Sequence, residues 1–577
     1  MRVNSVRNIE QPARATDWPA RLLDAATTSH RRALAILAAL CLLAFLPGFF
    51  TIPPVDRDEA RFAQASKQMV ESGDYVDIRF GQEVRYKKPV GIYWLQAGVV
   101  RAGEALGVPQ ARTSIWLYRI PSLIGAIAAV LLTYWAALAF GSRRVAVLAA
   151  AMLATSILLG VEARLAKTDA VLLACCIAAM GALARLYLGS HAAGSATERW
   201  RLPLILWTAL AAGVLVKGPL ILLFTGLTVA ALAVMDRSLA WIRGLRVLPG
   251  TLWMLVLVLP WFVMIALRSH GAFFTLSVGD DMLAKVASGQ ESHGAPPGTY
   301  LLLFWVTFFP ASVVTALAAA RIFAQRREPR VRFLLAWIVP AWIVLELVIT
   351  KLPHYVLPLY PAVAILTAIA IDERCLSHNR LLVVGAVWWL IVPCLLAALT
   401  VVAPYWLGLV PSPIAVALAA GGIAVGYAAW RRFTPDAAED GLLHGIAAML
   451  LAGAAVYHTL PRLTPIFPSP QLAQAVRGAG CDNASVAAVG FQEPSLVFLA
   501  GTQTLLADPV SAAIFLREGG CRFALVEGRQ QDFERAAAAH NVRYTTGPTV
   551  SGYGLGNGKP VRITLYRAAE NPPPAAR

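Results

Sequence analysis

Apolar runs long enough to cross a bilayer recur through most of this 577-residue chain, and that recurrence limits the fold more than any other feature. A spanning helix needs about 20 apolar residues, and in lipid every backbone polar group has to be satisfied internally. Such runs lie near 33–50, 117–140, 144–161, 168–187, 202–215, 218–236, 249–267, 299–320, 331–349, 355–371, 380–402, 413–430 and 441–458. The short alternating segments of a membrane β-barrel are absent. With 58% hydrophobic and 14% charged residues, the chain has too little charge to solvate an ordinary surface. The formal charge of +17 sits on Arg and Lys that punctuate apolar runs, so it reads as membrane orientation and not as a nucleic-acid face.

Basic short loops alternate regularly with the others. "GSRR" at 141, "ATERWR" at 196, "RSLAWIRGLR" at 237, "RIFAQRREPRVR" at 321, "DERCLSHNR" at 372 and "WRRF" at 430 fall on the side of "SHRR" at 29. The positive-inside rule puts these loops and a retained 1–32 tail in the cytoplasm. Thirteen spans then put the C-terminus outside. From 459 to 577 the pattern changes to strand-like runs ("SVAAVGF", "RFALVEG", "VRITLYR") and two amphipathic helical stretches, which predicts a small α/β domain. Cys481 and Cys521 are its cysteines, and an oxidising compartment permits a disulfide or leaves two buried thiols.

The outer face receives the long 51–116 loop, "EARLAKTD" from Glu162, the turn at Lys217, the 268–298 loop and "KLPHYVLPLYP" from Lys351. Lys87, Lys88, Lys167, Lys217, Arg268, Lys285 and Lys351 all lie there, where the positive-inside rule disfavours cations. One such residue is an ordinary snorkelling side chain. Seven drawn from five separate loops indicate an anion site, and phosphate suits both Lys and Arg. Asp58, Glu162 and Asp169 are interleaved with them, as expected of a catalytic pocket and not of a simple anion sink. In "TIPPVDRDEARF" the plain reading is a helix start, with Asp56 as N-cap and Glu59 completing a capping box; that reading asks nothing of Asp58. A lipid-phosphate-using transferase, a transporter and a membrane scaffold remain open at this point. A transporter predicts ionisable groups at mid-membrane and broken helices in an inverted repeat, whereas here the charge is at one rim.

"DEARFAQASKQMVESGDYVDIRFGQEVRYKKPVGIYW" and "KLPHYVLPLYPA" resemble the signatures of bacterial membrane glycosyltransferases of the aminoarabinose transferase and protein O-mannosyltransferase type. "QESHGAPPGTYLLLFW" resembles one branch of that group, and the likeness covers essentially the whole chain. It implies an all-α polytopic membrane domain of the GT-C type (about 13 helices, residues 33–458, with periplasmic loops 51–116 and 268–298) and a periplasmic α/β domain at 459–577. The chain is then a multi-pass protein of the bacterial inner membrane with its active site in the periplasm. The implied reaction moves 4-amino-4-deoxy-L-arabinose from undecaprenyl phosphate to a lipid A phosphate, conferring polymyxin resistance. Transfer of another sugar to protein or a different glycolipid is the runner-up, and lipid-linked sugar transport the alternative from another class.

Carried over by the motifs, the acidic pair is Asp58 and Glu59, the Arg is Arg61, the Lys before Pro is Lys88, the acid opening the fourth span is Asp169, and the "HY" aromatic is Tyr355. Lys87 stands where relatives carry an acid, Asp280–Asp281 where they carry Glu-His, and Lys285 where they carry Arg. Asp58, Lys88 and Asp169 are the catalytic candidates. Lys88, Lys285 and Arg61 would neutralise the departing phosphate. Asp58 would serve a hydroxyl acceptor as base, or orient an acceptor that is already ionised. Glu59, Tyr86, Lys87, Glu162, Lys217, Arg268 and His354 complete the binding set. Glu83, His270 and His293 are weak metal candidates, since their spacing matches no metal motif; a divalent ion is permitted. With no glycine-rich loop after a strand, a nucleotide cofactor is not expected. The partners are a lipid-linked donor, lipid A and membrane lipid, with no nucleic acid, and the chain is expected to be a monomer.

Overall fold

The computed structural model describes residues 18–189, 198–277, 279, 294–481 and 483–569. Lys285, His293 and Asp280–Asp281 lie outside the described residues.

Among the described residues, eight helices are long and apolar enough to cross a membrane, including Ile115–Ala137, Asp169–Gly189 and Val247–Arg268; Leu220–Asp236 and Ser312–Ala324 are shorter apolar helices. The outer faces are what lipid would cover. Along Val247–Arg268 the side chains of Leu248, Leu252, Val256, Leu259, Val263 and Leu267 are exposed in one stripe, far more apolar surface than a soluble protein leaves bare. The interior is built of small residues: every side chain from Val145 to Ala154 is buried, so backbones approach closely and dispersion contacts replace a hydrophobic driving force.

Two expected spans are broken. The 144–161 run forms Arg143–Ala154 and Ile157–Glu162. Between them the Thr155 hydroxyl donates to the Ala151 carbonyl and the Ser156 hydroxyl to the Leu153 carbonyl, both at 2.8 Å, and such back-bonding bends or ends a helix. The 299–320 run forms Thr299–Thr307 and Ser312–Ala324 around Pro310, which has no N–H to give.

The loops assigned by charge to one face do meet at one end of the bundle. There Arg144 pairs with both Asp24 and Glu439, Arg332 with Asp236, and Arg321 and Arg330 with Glu373. At the opposite end lies a cap made from the first long loop. It comprises the Asp58–Ser72 helix, a two-residue ribbon (Arg79–Phe80 with Glu83–Val84) and the Gly91–Ala105 helix. Phe62, Met69, Ile78, Tyr86 and Tyr93 of this cap pack with Trp261 and Phe273. The "SGDY" turn has a local cause. Gly73 ends the first cap helix at φ 74° with its N–H on the Met69 carbonyl, a left-handed position that suits glycine. Asp74 then accepts from the N–H groups of Val76 and Asp77.

The C-terminal unit carries a five-stranded sheet in which Leu505–Leu506, Ser485–Val489 and Arg522–Glu527 run parallel. Pro560–Ala568 and then Tyr544–Tyr553 continue the sheet antiparallel. Helices Pro468–Gly478, Pro494–Ala500, Pro509–Arg517 and Gln530–Ala539 cover it. Cys481 and Cys521 are joined in a disulfide, with Cα atoms 5.9 Å apart.

Candidate active site

The site is assembled from helix ends. Asp169 opens one helix, Lys217 closes another, Glu162 ends the short Ile157–Glu162 helix, and His354 and Tyr355 lie in the 3-10 turn Pro353–Leu359. Two glycines allow the approach. A Cβ on Gly125 would stand 2.8 Å from the Val171 nitrogen beside Asp169, and one on Gly91 would stand 2.7 Å from the Leu215 carbonyl beside Lys217. A larger residue at Gly91 would push the cap, and Lys88 with it, off the helix that carries Lys217.

Within this cluster Lys217 pairs with Asp169 and lies 5.4 Å from the Tyr355 ring centre. Lys167 reaches Glu162 at 3.2 Å and Asp169 at 3.8 Å. His354 sits between the two acids, Nδ1 at 3.6 Å from Glu162 and Nε2 at 3.7 Å from Asp169. Two carboxylates face two ammonium groups, so the formal charges cancel without help from solvent. Burial works against a charged Lys167, but Glu162, Asp169 and Asp58 hold its pKa above the usual lysine value. Burial likewise pushes the Glu162 carboxyl up, with Lys167 opposing. Glu162, Asp169 and His354 can each point a donor atom to one spot, all within 4.8 Å. The set therefore fits a divalent ion by distance and donor type, with Lys167 and Lys217 as competitors for the same carboxylate oxygens. Glu83 and His270 are exposed and take no part in this group.

Glu59 turns inward. Arg119, fully buried, donates Nε to Oε1 and Nη2 to Oε2, both at 2.8 Å. Its remaining N–H groups go to the carbonyls of Phe49, Ile52 and Pro53. Glu59 also accepts from the Ala166 and Val55 N–H groups at 2.8 Å. One buried ion pair thus ties the turn after the His30–Phe45 helix, the start of the cap helix and the turn carrying Lys167 into a unit. Arg119 is missing from the sequence-based site. Its signal was available, because an Arg inside an apolar span asks for a buried partner.

The expected capping box does not form. The residue before the cap helix is Arg57, at φ 68° and ψ −112° with no side-chain cap, and Asp56 instead accepts from the Ser495 N–H at 2.7 Å. Glu59 does reach back, but to Val55. The sequence could not foresee that a distant domain would claim Asp56.

Of the remaining candidates, Asp58 and Lys87 are exposed and Lys88 and Arg61 half-buried. Lys88 is near enough for its charge to act on His354. Arg61 makes no ion pair among the described residues. The Tyr86 hydroxyl donates to Asp77 at 2.6 Å. Arg268 pairs with Asp74 at 2.8 Å.

Residues 35–272 match the family described as dolichyl-phosphate-mannose-protein mannosyltransferase. Two curated relatives bear the name undecaprenyl phosphate-alpha-4-amino-4-deoxy-L-arabinose arabinosyl transferase. The one from Pseudomonas aeruginosa is 27% identical over 60% of this chain and 62% of its own length. The one from Erwinia tasmaniensis is 26% identical over 62% of each. The chain thus spans about 62% of the length of these relatives. The crystal structure of ArnT from Cupriavidus metallidurans bound to undecaprenyl phosphate superposes with a TM-score of 0.73 over 94% of this chain and 100% of that one, at 19% identity. The apo form gives 0.71 at 18%.

Together these observations describe a polytopic all-α membrane protein with a C-terminal sheet-containing domain, similar over residues 35–272 to the mannosyltransferase family named above. It is also similar to the aminoarabinose transferases, and it shares the fold of the solved ArnT over 94% of its length.

Proposed function

We propose that this protein is a polyprenyl-phosphate-dependent glycosyltransferase that moves 4-amino-4-deoxy-L-arabinose from undecaprenyl phosphate to a phosphate of lipid A. The observation that carries the reading is the group of Lys167 and Lys217 held by Glu162 and Asp169 at the cap end of the bundle. Lys88 lies close by, and solved ArnT, which this fold matches, binds undecaprenyl phosphate.

In the transfer, the bond from the sugar's anomeric carbon to the donor phosphate oxygen breaks and undecaprenyl phosphate leaves with the electron pair. A lipid A phosphate oxygen forms the new bond. Charge collects on the leaving phosphate as the transition state is approached, so cations held there in advance lower the barrier. Lys88 and Lys217 take that role, and Asp169 keeps Lys217 aimed until the donor arrives. Asp58, exposed at the first turn of the cap helix, faces the acceptor. A phosphate acceptor is already ionised, so Asp58 orients it or the sugar amine and need not remove a proton. Glu59 acts through Arg119 as a positioning residue. Glu162 and His354 complete the pocket wall, and a divalent ion held there would add positive charge beside the phosphate.

Thirteen spans, a cytoplasmic 1–32 tail, a 33–458 transferase domain and a periplasmic 459–577 domain complete the proposal, with a monomer acting at the periplasmic face of the inner membrane. Purified protein given undecaprenyl-phosphate aminoarabinose and lipid A should yield modified lipid A without any nucleotide. Turnover only with a nucleotide sugar would refute the donor. Sugar appearing on protein instead of lipid A would establish the second reading, and leaflet exchange of labelled donor without a new glycosidic bond would establish transport.

A further inference from the structure

Asp58 follows a backbone position that should not hold itself. Arg57 has φ 68° and ψ −112°, a combination sparsely populated by any residue with a Cβ. Strained positions of this kind persist only where the surroundings over-determine them. Val55 and Glu59 on either side are tied to each other, and Glu59 to Arg119, but Asp56 and Arg57 themselves are held by the C-terminal domain, more than four hundred residues away in sequence. Asp56 accepts from the Ser495 N–H at 2.7 Å, in the first turn of the Pro494–Ala500 helix. The Arg57 guanidinium donates to the Gly556 carbonyl. Gly556 in turn donates its N–H to Glu493 at 3.2 Å, two residues before Ser495. The contacts close a ring: 56 to 495, 493 to 556, 556 to 57.

The same helix grips the rest of the cap helix. Lys67, buried, donates to the Phe498 carbonyl at 2.9 Å, and Gln64 donates to the Thr502 hydroxyl at 2.8 Å. The Thr502 hydroxyl then donates to Glu71. The Phe498 ring is fully buried edge-on to Tyr118, 5.2 Å between centres, among Ala63, Val70 and Ala97 of the cap. Domains that merely touch bury a polar rim and stay mobile. Here an aromatic plug and a buried lysine anchor the contact, and its edge ends on the two residues before Asp58.

We infer that the C-terminal domain is a clamp on the active-site loop, with Asp56, Ser495 and Arg57 as positioning residues that fix where Asp58 points. None of the three needs to touch substrate. The effect on turnover rests on the transfer reaction proposed above; the clamp itself does not.

The test uses the full chain in nanodiscs. Ser495→Pro removes the N–H that Asp56 uses while remaining acceptable in a first helical turn. Asp56→Ala removes the acceptor, and Asp56→Asn keeps it. Ser495→Pro and Asp56→Ala should each lower kcat by about tenfold or more, as expected when a reacting group loses its alignment, with the donor KM within about twofold because uniform binding is untouched. Asp56→Asn should restore most of the rate. Hydrogen–deuterium exchange provides a second readout that needs no catalysis. Ser495→Pro should speed exchange across 54–62, and Asp56→Ala across 494–500. Loss of activity through a raised KM alone, or equal rates for Asp56→Ala and Asp56→Asn, would overturn the positioning role. Unchanged exchange in both segments would overturn the clamp, and absence of transfer by the wild type with changed exchange would refute the proposed reaction and leave the clamp standing.

Discussion

Replacing Arg119 by Met probes the element on which the rest of the site is hung. Every N–H of its guanidinium is spent in the native structure: two on the Glu59 carboxylate and three on the carbonyls of Phe49, Ile52 and Pro53. Glu59 is 1% exposed and keeps only the N–H groups of Ala166 and Val55 after the change. Removing one member of a buried ion pair costs about 3–5 kcal/mol, chiefly because the other charge stays buried. Arg119→Lys should rescue little. An ammonium has three donors against the five of a guanidinium, so at least two of the buried acceptors lose their partner at about 1–3 kcal/mol each. Glu59→Leu combined with Arg119→Met removes both charges and should recover part of the single-mutant loss. The assay is a double-mutant cycle on reversible denaturant unfolding of the reconstituted protein. A coupling energy above ~2 kcal/mol is expected, since contacting groups in one network depart from additivity by about 0.5–3 kcal/mol. Additive single effects within ~0.5 kcal/mol would show that the pair is not the keystone described.

Lys88→Ala should slow the chemical step by ~10²-fold or more, with Lys88→Arg restoring it only in part because a planar fork replaces a compact charge; single-turnover rates decide this. Asp58→Asn should lower turnover while leaving the acidic limb of the pH–rate profile in place if the acceptor is a phosphate, and loss of that limb would instead mark Asp58 as a base toward a hydroxyl. Burial pushes the Asp56 carboxyl up to about 7, with Glu493 and Glu59 adding to the rise and Ser495 opposing it. Because the folded state then holds this proton more tightly than the unfolded one, Asp56 contributes stability that is full below the ordinary carboxylate range and lost as pH rises through about 7. Melting of wild type and Asp56→Asn between pH 5 and 8 should show that slope in the first and not in the second. Cysteine labels in 321–332 should be shielded from an impermeant reagent in spheroplasts while labels in 485–569 react, and the reverse would overturn the orientation.

Much of this arrangement was already fixed by local chemistry. Apolar length, small-residue content and the alternation of basic loops are properties of contiguous segments, so the sequence determined a polytopic helical protein, a change of character near 459 and a cation-rich face. Lys88 and Tyr355 could be picked out because each sits in a long motif, and Asp169 because it is the acid that opens an apolar span. Partnership across the chain was not legible in the same way. Glu59 looked like half of a capping box, since a box needs only four neighbouring residues to be recognised, while its actual partner lies 60 positions on and is buried only once two helices pack. Asp56 is claimed by a helix 439 residues away. Lys167 and His354 looked like separate rim residues until Glu162 and Asp169 stood between them. Helix breaks at Thr155–Ser156 and Pro310 were equally hidden inside runs whose mean hydropathy stays high. Composition therefore sets what the chain must bury, but which buried charge meets which is decided by packing, because in a low-dielectric interior each ion has to find its counter-ion wherever the fold delivers one.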